Sequence, residues 1–199
     1  MQTDENLTKQ VLRGELSAFE ELVKRYKNVV FAIVYRILGN YQEAEDVSQE
    51  VFLVVFQKLH QFDSTRSFSP WINRIAVNTC VSYLRKNRKV VTLSFDETGS
   101  TQYDYAYHEW YASDPEIAFE KKELQEEIDQ ALMMLPESYR LVIVLRYKLE
   151  LNNQEIADTL HISKENVEVK VHRARRALRK IILQRWKEKG VQYELPATR

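Results

Sequence analysis

The sequence predicts an all-α protein: two small helical domains joined by a flexible acidic linker, the second ending in a helix-turn-helix. Three observations carry this expectation. Gly and Pro number only four each in 199 residues, too little backbone punctuation for a many-turned β fold. Apolar residues recur at helical spacing through both halves of the chain. Between the halves, residues 91–120 hold seven acidic side chains and no basic one, and the helical period stops.

The first domain is expected over residues 1–90. In "SAFEELVKRYKNVVFAIVYRIL", Ser17 and Glu20 have the spacing of a capping box. Phe19, Leu22, Val23, Tyr26, Val30, Ile33 and Ile37 then recur as a helix stripe, and Gly39 ends it as a left-handed cap would. A second helix is predicted from Tyr41 to about Leu59, with Ala44, Val47, Val51, Val55 and Leu59 as its buried stripe. Asp46, Gln49, Glu50 and Leu53 fall on another side, an acid-amide patch with one apolar residue. A loop, "HQFDSTRSFSP", leads to a third helix over Pro70–Arg88, with Pro70 at its first position.

Residues 91–113 read as the linker, since so long a structureless loop is uncommon inside one compact unit. Its "YDYAY" alternates like a strand, but a lone strand has little to pair with. The cluster Tyr103, Tyr105, Tyr107, Trp110 and Tyr111 is unusual for a free tether and is expected to pack on something.

The second domain is expected over residues 114–199. Asp114 and Pro115 are a natural N-cap and first helical residue. Pro136 opens the next helix. Asn152, with Glu155 three residues on, starts the short helix "NQEIADTL", and "HIS" turns into a final helix over about Lys164–Lys187. Ile156, Ala157, Leu160 and Ile162 face inward. Val167, Val171, Ala174, Leu178 and Ile181 form one face of the last helix, at the 4, 3, 4, 3 spacing of a buried stripe. Two short helices joined by so tight a turn have the pattern of a helix-turn-helix.

Charge says what the opposite face is for. The chain carries 29 basic and 29 acidic residues, yet residues 164–189 hold ten basic and three acidic. A neutral protein binds a polyanion when its positive charge is local. Asn166, Lys170, Arg173, Arg176 and Lys180 lie opposite the stripe, with Glu165, Val169 and His172 beside them. The N-terminal side chains of such a helix read base edges in the DNA major groove; Arg175, Arg179 and Lys180 further along suit phosphates. Taken alone, this half equally describes a free-standing helix-turn-helix regulator. In the first domain, Phe62, Arg66, Phe68, Trp71, Arg74, Asn78, Arg85, Lys86, Arg88 and Lys89 combine rings that can stack on unpaired bases with cations that can hold a backbone. An aromatic such as Trp71, just after a helix-opening Pro, is more often core. No HExxH, P-loop or acidic metal cluster points to an enzyme, and no cofactor is implied. The single Cys80 reads as a core thiol and suits a reducing cytoplasm. The polar start "MQTDENLTKQ" is not a signal peptide, and no apolar run reaches the roughly 18 residues of a membrane span.

Two blocks, "GNYQEAEDVSQEVFLVVFQKLHQFDSTRSFSPWINRIAVNTCVSYLRK" and "LPESYRLVIVLRYKLELNNQEIADTLHISKENVEVKVHRARRALRK", resemble the two conserved domains of extracytoplasmic-function (ECF) sigma factors, in the family's order. The resemblance implies a non-enzymatic subunit that directs core RNA polymerase to promoters. It implies that the first domain reads and opens the −10 element and the second binds the −35 element. By resemblance, Asp46, Gln49, Glu50 and Leu53 meet the β′ clamp. The loop Gln61–Ser69 surrounds a flipped base, and Asn78 lies near that strand. The implied partners are the polymerase β′ clamp and β flap, promoter DNA, and an anti-sigma factor, with no membrane insertion. The acidic linker would suit polymerase channels with basic walls. The recognition helix departs from the usual pattern at Glu168, where relatives carry a basic residue. Its carboxylate would either accept a cytosine amino group or pair with His172 one turn on.

Overall fold

The apolar stripes of the sequence become the buried faces of eight α-helices in a computed structural model that describes residues 2–88 and 119–190. The helices are α1 Asp4–Leu12, α2 Leu16–Leu38, α3 Tyr41–Lys58, α4 Phe68–Arg88, α5 Phe119–Met133, α6 Glu137–Ile143, α7 Asn153–Leu160 and α8 Lys164–Glu188. A 3-10 turn, Leu59–Gln61, follows α3, and a π-helical turn, Val144–Lys148, follows α6. No strand occurs among the described residues. The expected linker, its aromatic cluster, and the Asp114–Pro115 helix start lie outside them.

Helices α2, α3 and α4 pack on one another as the first unit. Ala44, Val47, Val51, Val55 and Leu59 are all at most 1% exposed, as their spacing predicted. Gly39 ends α2 at φ 76°, its N–H donating to Tyr35 O at 2.8 Å. Two local expectations are corrected. Helix α2 starts at Leu16 after Glu15, with no side-chain cap, so Ser17 and Glu20 form no capping box. The start is set instead by the turn at Gly14 (φ 97°), where Glu15 N–H donates to Gln10 O at 3.1 Å. Helix α4 begins at Phe68, two residues ahead of Pro70, which sits in the first turn where its missing N–H removes no bond. Helix α1 was not anticipated. Asp4 ties it to α2 through Arg25 Nη1 at 2.8 Å and Tyr26 Oη at 2.5 Å.

The second unit packs α5, α6 and α7 around α8. Asn152 and Glu155 form the expected capping box, and Ser163 caps α8 by accepting from Asn166 N–H at 3.2 Å. His161 takes the left-handed turn position at φ 53°. Leu145, Ile156, Val167 and Ala174 are fully buried. Each large apolar side chain so buried stabilises the fold by about 1.5–3 kcal/mol.

The two units share one continuous hydrophobic core, in which α2 also packs on α5, α6 and the π turn. Arg140 is the key of this junction. Its side chain is fully buried, with Nη2 donating to Leu38 O at 3.1 Å and Nη1 to Met133 O at 3.3 Å. A guanidinium thus sits on the carbonyl end of α2, where the helix dipole favours a cation. Only a glycine leaves room for it: a Cβ on Gly39 would stand 2.5 Å from Arg140 Nη1. Beside it, Arg36 grips Asp129 with two bonds, at 2.9 and 3.1 Å.

Candidate nucleic-acid interface

Three surfaces hold the predicted site residues. On α3, Asp46, Gln49, Glu50 and Leu53 are all exposed, on the side away from the buried stripe. Leu53 is 64% exposed, and Phe56, one turn on, is 46% exposed and meets Phe19 edge to face at 5.0 Å. An exposed apolar ridge flanked by carboxylates and an amide has the composition of a protein-docking surface.

The second surface is a cavity of about 680 Å³ at the start of α4. The 3-10 turn and the loop after it bring Gln61, Phe62, Asp63, Arg66 and Ser67 to one side; α4 brings Trp71, Arg74 and Asn78 to the other. Asp63 shapes the loop by accepting from Thr65 N–H at 3.0 Å and Thr65 Oγ1 at 2.7 Å. Those bonds, with Arg66 nearby, hold its carboxyl below the usual range. The cavity rests on packed rings. Phe62 lies 5.3 Å from Phe68 and 5.2 Å from Trp71, and Phe68 lies 5.3 Å from Tyr26. Trp71 is half-buried and lines the cavity, so it serves packing and surface together.

Phe68 requires a correction. It is 1% exposed and locked among Tyr26, Phe62 and Trp71, so it supports the floor and has no face left for a base. Arg66, Arg74 and Asn78 are exposed at the rim. Lys86 is exposed further along α4. Arg85 is half-buried, and its Nη2 donates to Leu160 O of α7 at 3.0 Å. Cys80 is fully buried, and burial pushes its thiol far above the ordinary range, which fits a core residue.

The third surface is α8. Asn166, Glu168, Val169, His172, Arg173 and Arg176 are exposed, while Val167 and Ala174 face the core. Lys170 is half-buried; burial, aided by Arg173, lowers its pKa. Glu168 Oε1 accepts from Asn153 Nδ2 of α7 at 3.1 Å. Within the chain its bonded partner is therefore Asn153 and not His172. Past the first turns, His172, Arg175, Arg176 and Arg179 line a groove of about 800 Å³ with Arg36, Tyr147 and Lys148, over an apolar floor that includes Leu132, Val144 and Leu178. The basic half of α8 thus has one side on this groove.

Sequence reasoning missed Arg36, Asp129 and Arg140, which join the units, and the segment Lys148–Leu151, which lines the cavity. One signal was present for Arg140: it is the lone charge entering the apolar run "LVIVL" on a helix buried on most sides.

Residues 22–90 match the Sigma-70 region 2 family and residues 125–178 the Sigma-70, region 4 family. The ECF RNA polymerase sigma factor SigW of Bacillus subtilis is 38% identical over 175 residues, covering 86% of this chain and 92% of that protein. The ECF RNA polymerase sigma-E factor of Escherichia coli K12 is 30% identical over 177 residues, covering 88% and 92%. Among solved structures, the sigma factor RpoE of Bartonella quintana, in complex with the anti-sigma factor NepR, shares the fold. Its TM-score is 0.54 at 20% identity, over 82% of this chain and 96% of that one. By the likeness of both domains and of the whole chain, this protein belongs to the ECF RNA polymerase sigma factors.

Proposed function

We propose the following division of labour for a sigma factor that directs promoter-specific initiation. Residues 1–90 bind core polymerase and the −10 element, residues 91–113 form the acidic linker, and residues 114–199 bind the −35 element. Asp46, Gln49, Glu50 and Leu53 dock on the polymerase β′ clamp. The ring-floored cavity takes an unpaired base of the −10 element. Trp71 and Phe62 supply its apolar wall, Asn78 a hydrogen-bonding edge, and Arg66 and Arg74 the backbone contacts. Capturing an extruded base offsets the few kcal/mol that unstacking costs. Asn166, Glu168, Val169, Lys170, His172, Arg173 and Arg176 meet the −35 element, where each base pair carries roughly 1–3 kcal/mol of discrimination. The chain performs no covalent chemistry; catalysis belongs to the polymerase, in the cytoplasm.

The observation that supports this most is the cavity itself, about 680 Å³, where packed rings and exposed cations meet. In this reading a protein inhibitor is a further partner, by analogy with the anti-sigma factor bound to the sigma factor whose fold this chain shares. The test is run-off transcription by core polymerase plus the purified chain, with sequencing of the RNA 5′ ends. Initiation at defined start sites is expected, and Trp71→Ala should depress it while leaving core association intact. A chain that bound duplex DNA but never joined core would overturn the assignment.

A further inference from the structure

The rings under the −10 cavity are braced from behind by a helix outside both family matches. Helix α1 ends before the region 2 match begins at residue 22. Thr3 caps it by accepting from Asn6 N–H at 3.3 Å, and its buried Leu7, Thr8 and Val11 fix it in the first unit. It packs on α2 and on the 3-10 turn that opens the cavity loop. Its first residue, Asp4, turns both carboxylate oxygens to α2. Oδ1 accepts from Arg25 Nη1 at 2.8 Å and Oδ2 from Tyr26 Oη at 2.5 Å. Arg25 is itself fixed, with Nη1 also donating to Gln2 O at 2.8 Å and Nε to Glu21 Oε1 at 2.9 Å. A partly exposed ion pair adds little to stability by itself; its consequence lies in the phenol beside it. Burial and the Asp4 bond push the Tyr26 hydroxyl well above its ordinary range, so it stays a donor. Ser69, in the first turn of α4, lies beside the same hydroxyl.

Tyr26 carries this constraint to the cavity. A phenol tied at its far end keeps one χ1 rotamer. Its ring meets Phe68 edge to face, with centroids 5.3 Å apart and planes at 75°. Phe68 in turn meets Phe62 at 5.3 Å and Trp71 at 5.5 Å, the two rings that wall the cavity. Such ring pairs are directional, so turning one ring turns the next. No residue of α1 lines the cavity, and its influence passes through Tyr26 and Phe68. We propose that Asp4 and Tyr26 are positioning residues for promoter opening, through which α1 holds the ring-walled cavity in the geometry that captures the unpaired base. The proposal deepens the reading of that cavity as the −10 base site and rests on it. Misplacing a site by about 1 Å can cost it most of its advantage. Capture that must offset unstacking has little to spare.

The test uses holoenzyme assembled from core polymerase and the full chain, as wild type, Asp4→Ala, Asp4→Asn, Tyr26→Phe, and the double variant D4A/Y26F. The probe is a labelled single-stranded −10 oligonucleotide taken from the mapped start sites. It is compared with copies in which each base in turn is replaced by an abasic sugar. The cavity base is the one whose removal weakens the wild type but not Trp71→Ala. D4A and Y26F should bind the intact oligonucleotide about tenfold more weakly, or about 1.4 kcal/mol, and the copy lacking the cavity base as the wild type does. The double variant should match the singles, because both remove one bond. D4N, whose amide can still bond both partners, should keep the wild-type preference. If α1 only stabilises the fold, D4A and Y26F weaken intact and abasic copies alike or change neither, and either result overturns the proposal. So does a double variant whose loss is the product of the single losses. Trp71→Ala separates the two readings. If no position's preference depends on Trp71, the cavity is not the base site and the brace falls with it. If W71A loses the preference while D4A and Y26F keep it, the base site stands and the brace is refuted.

Discussion

Replacing Arg140 with Met keeps most of the side chain's length and removes its charge. Arg140 is fully buried, so water does not replace what is lost. Leu38 O and Met133 O lose charge-assisted donors at 3.1 and 3.3 Å. Each such bond contributes about 1.5–3 kcal/mol, and a buried acceptor left without a donor costs a comparable amount. Against this stands the desolvation cost of the buried guanidinium, which the substitution relieves. Glu137 Oε1, 3.9 Å from Nη2, is itself buried, so removing the guanidinium there adds to the loss. The acceptors win because two carbonyls remain in the core, and a net loss of about 3 kcal/mol is expected. For a chain of this size that is a fall in Tm of roughly 6–12 °C. Because Arg140 spans the junction, a single cooperative transition should also split, the first and second units melting apart. Urea titration followed by far-ultraviolet circular dichroism and by tryptophan fluorescence measures both effects. A loss under about 1 kcal/mol with coincident probes would refute the role given to this residue. Gly39→Ala should reproduce the defect from the other side, since a Cβ there is strained by φ and collides with the guanidinium.

Three further outcomes are expected. Glu127 accepts bonds from Lys189 and Arg185, which outweigh its burial and lower its pKa. A carboxyl with a depressed folded pKa adds stability above its unfolded pKa of about 4.3, and that stability is lost as pH falls through the lower folded value. Glu127→Gln should therefore be less stable than the wild type near pH 7, with the gap closing below about pH 4; a gap independent of pH would show that the clamp between α5 and α8 is not ionic. Asn153→Ala releases Glu168, so −35 preference should change at one base pair by about 1 kcal/mol with little change in non-specific affinity, read by competition binding. Arg173→Ala should weaken duplex binding and alter sequence choice, whereas Arg179→Ala should weaken all duplexes alike and lower the salt slope by about one; equal effects of both would misplace the reading face.

The amino-acid order alone determined the helices with strong stripes. Ala44, Val47, Val51, Val55 and Leu59 announced α3 because a helix that buries one face must repeat apolar residues every three or four positions. Asn152 with Glu155 announced the start of the helix-turn-helix because helix ends leave N–H groups that such side chains satisfy locally. The polar faces of α3 and α8 followed by elimination. Non-local choices were not legible. Phe68 has the composition of a base-stacking residue, yet three rings from three parts of the first unit enclose it. Glu168 found Asn153 across a helix crossing, where spacing along one helix had offered only His172. Arg140 reads as an ordinary helix residue until α2 ends against it at a glycine. Local propensity and periodicity act within a few residues, so the chain fixes its helices and their wet faces by itself. Which charges meet across the 93 residues from Arg36 to Asp129, and which turn lines which cavity, depends on packing between distant segments, and tertiary structure alone decides that.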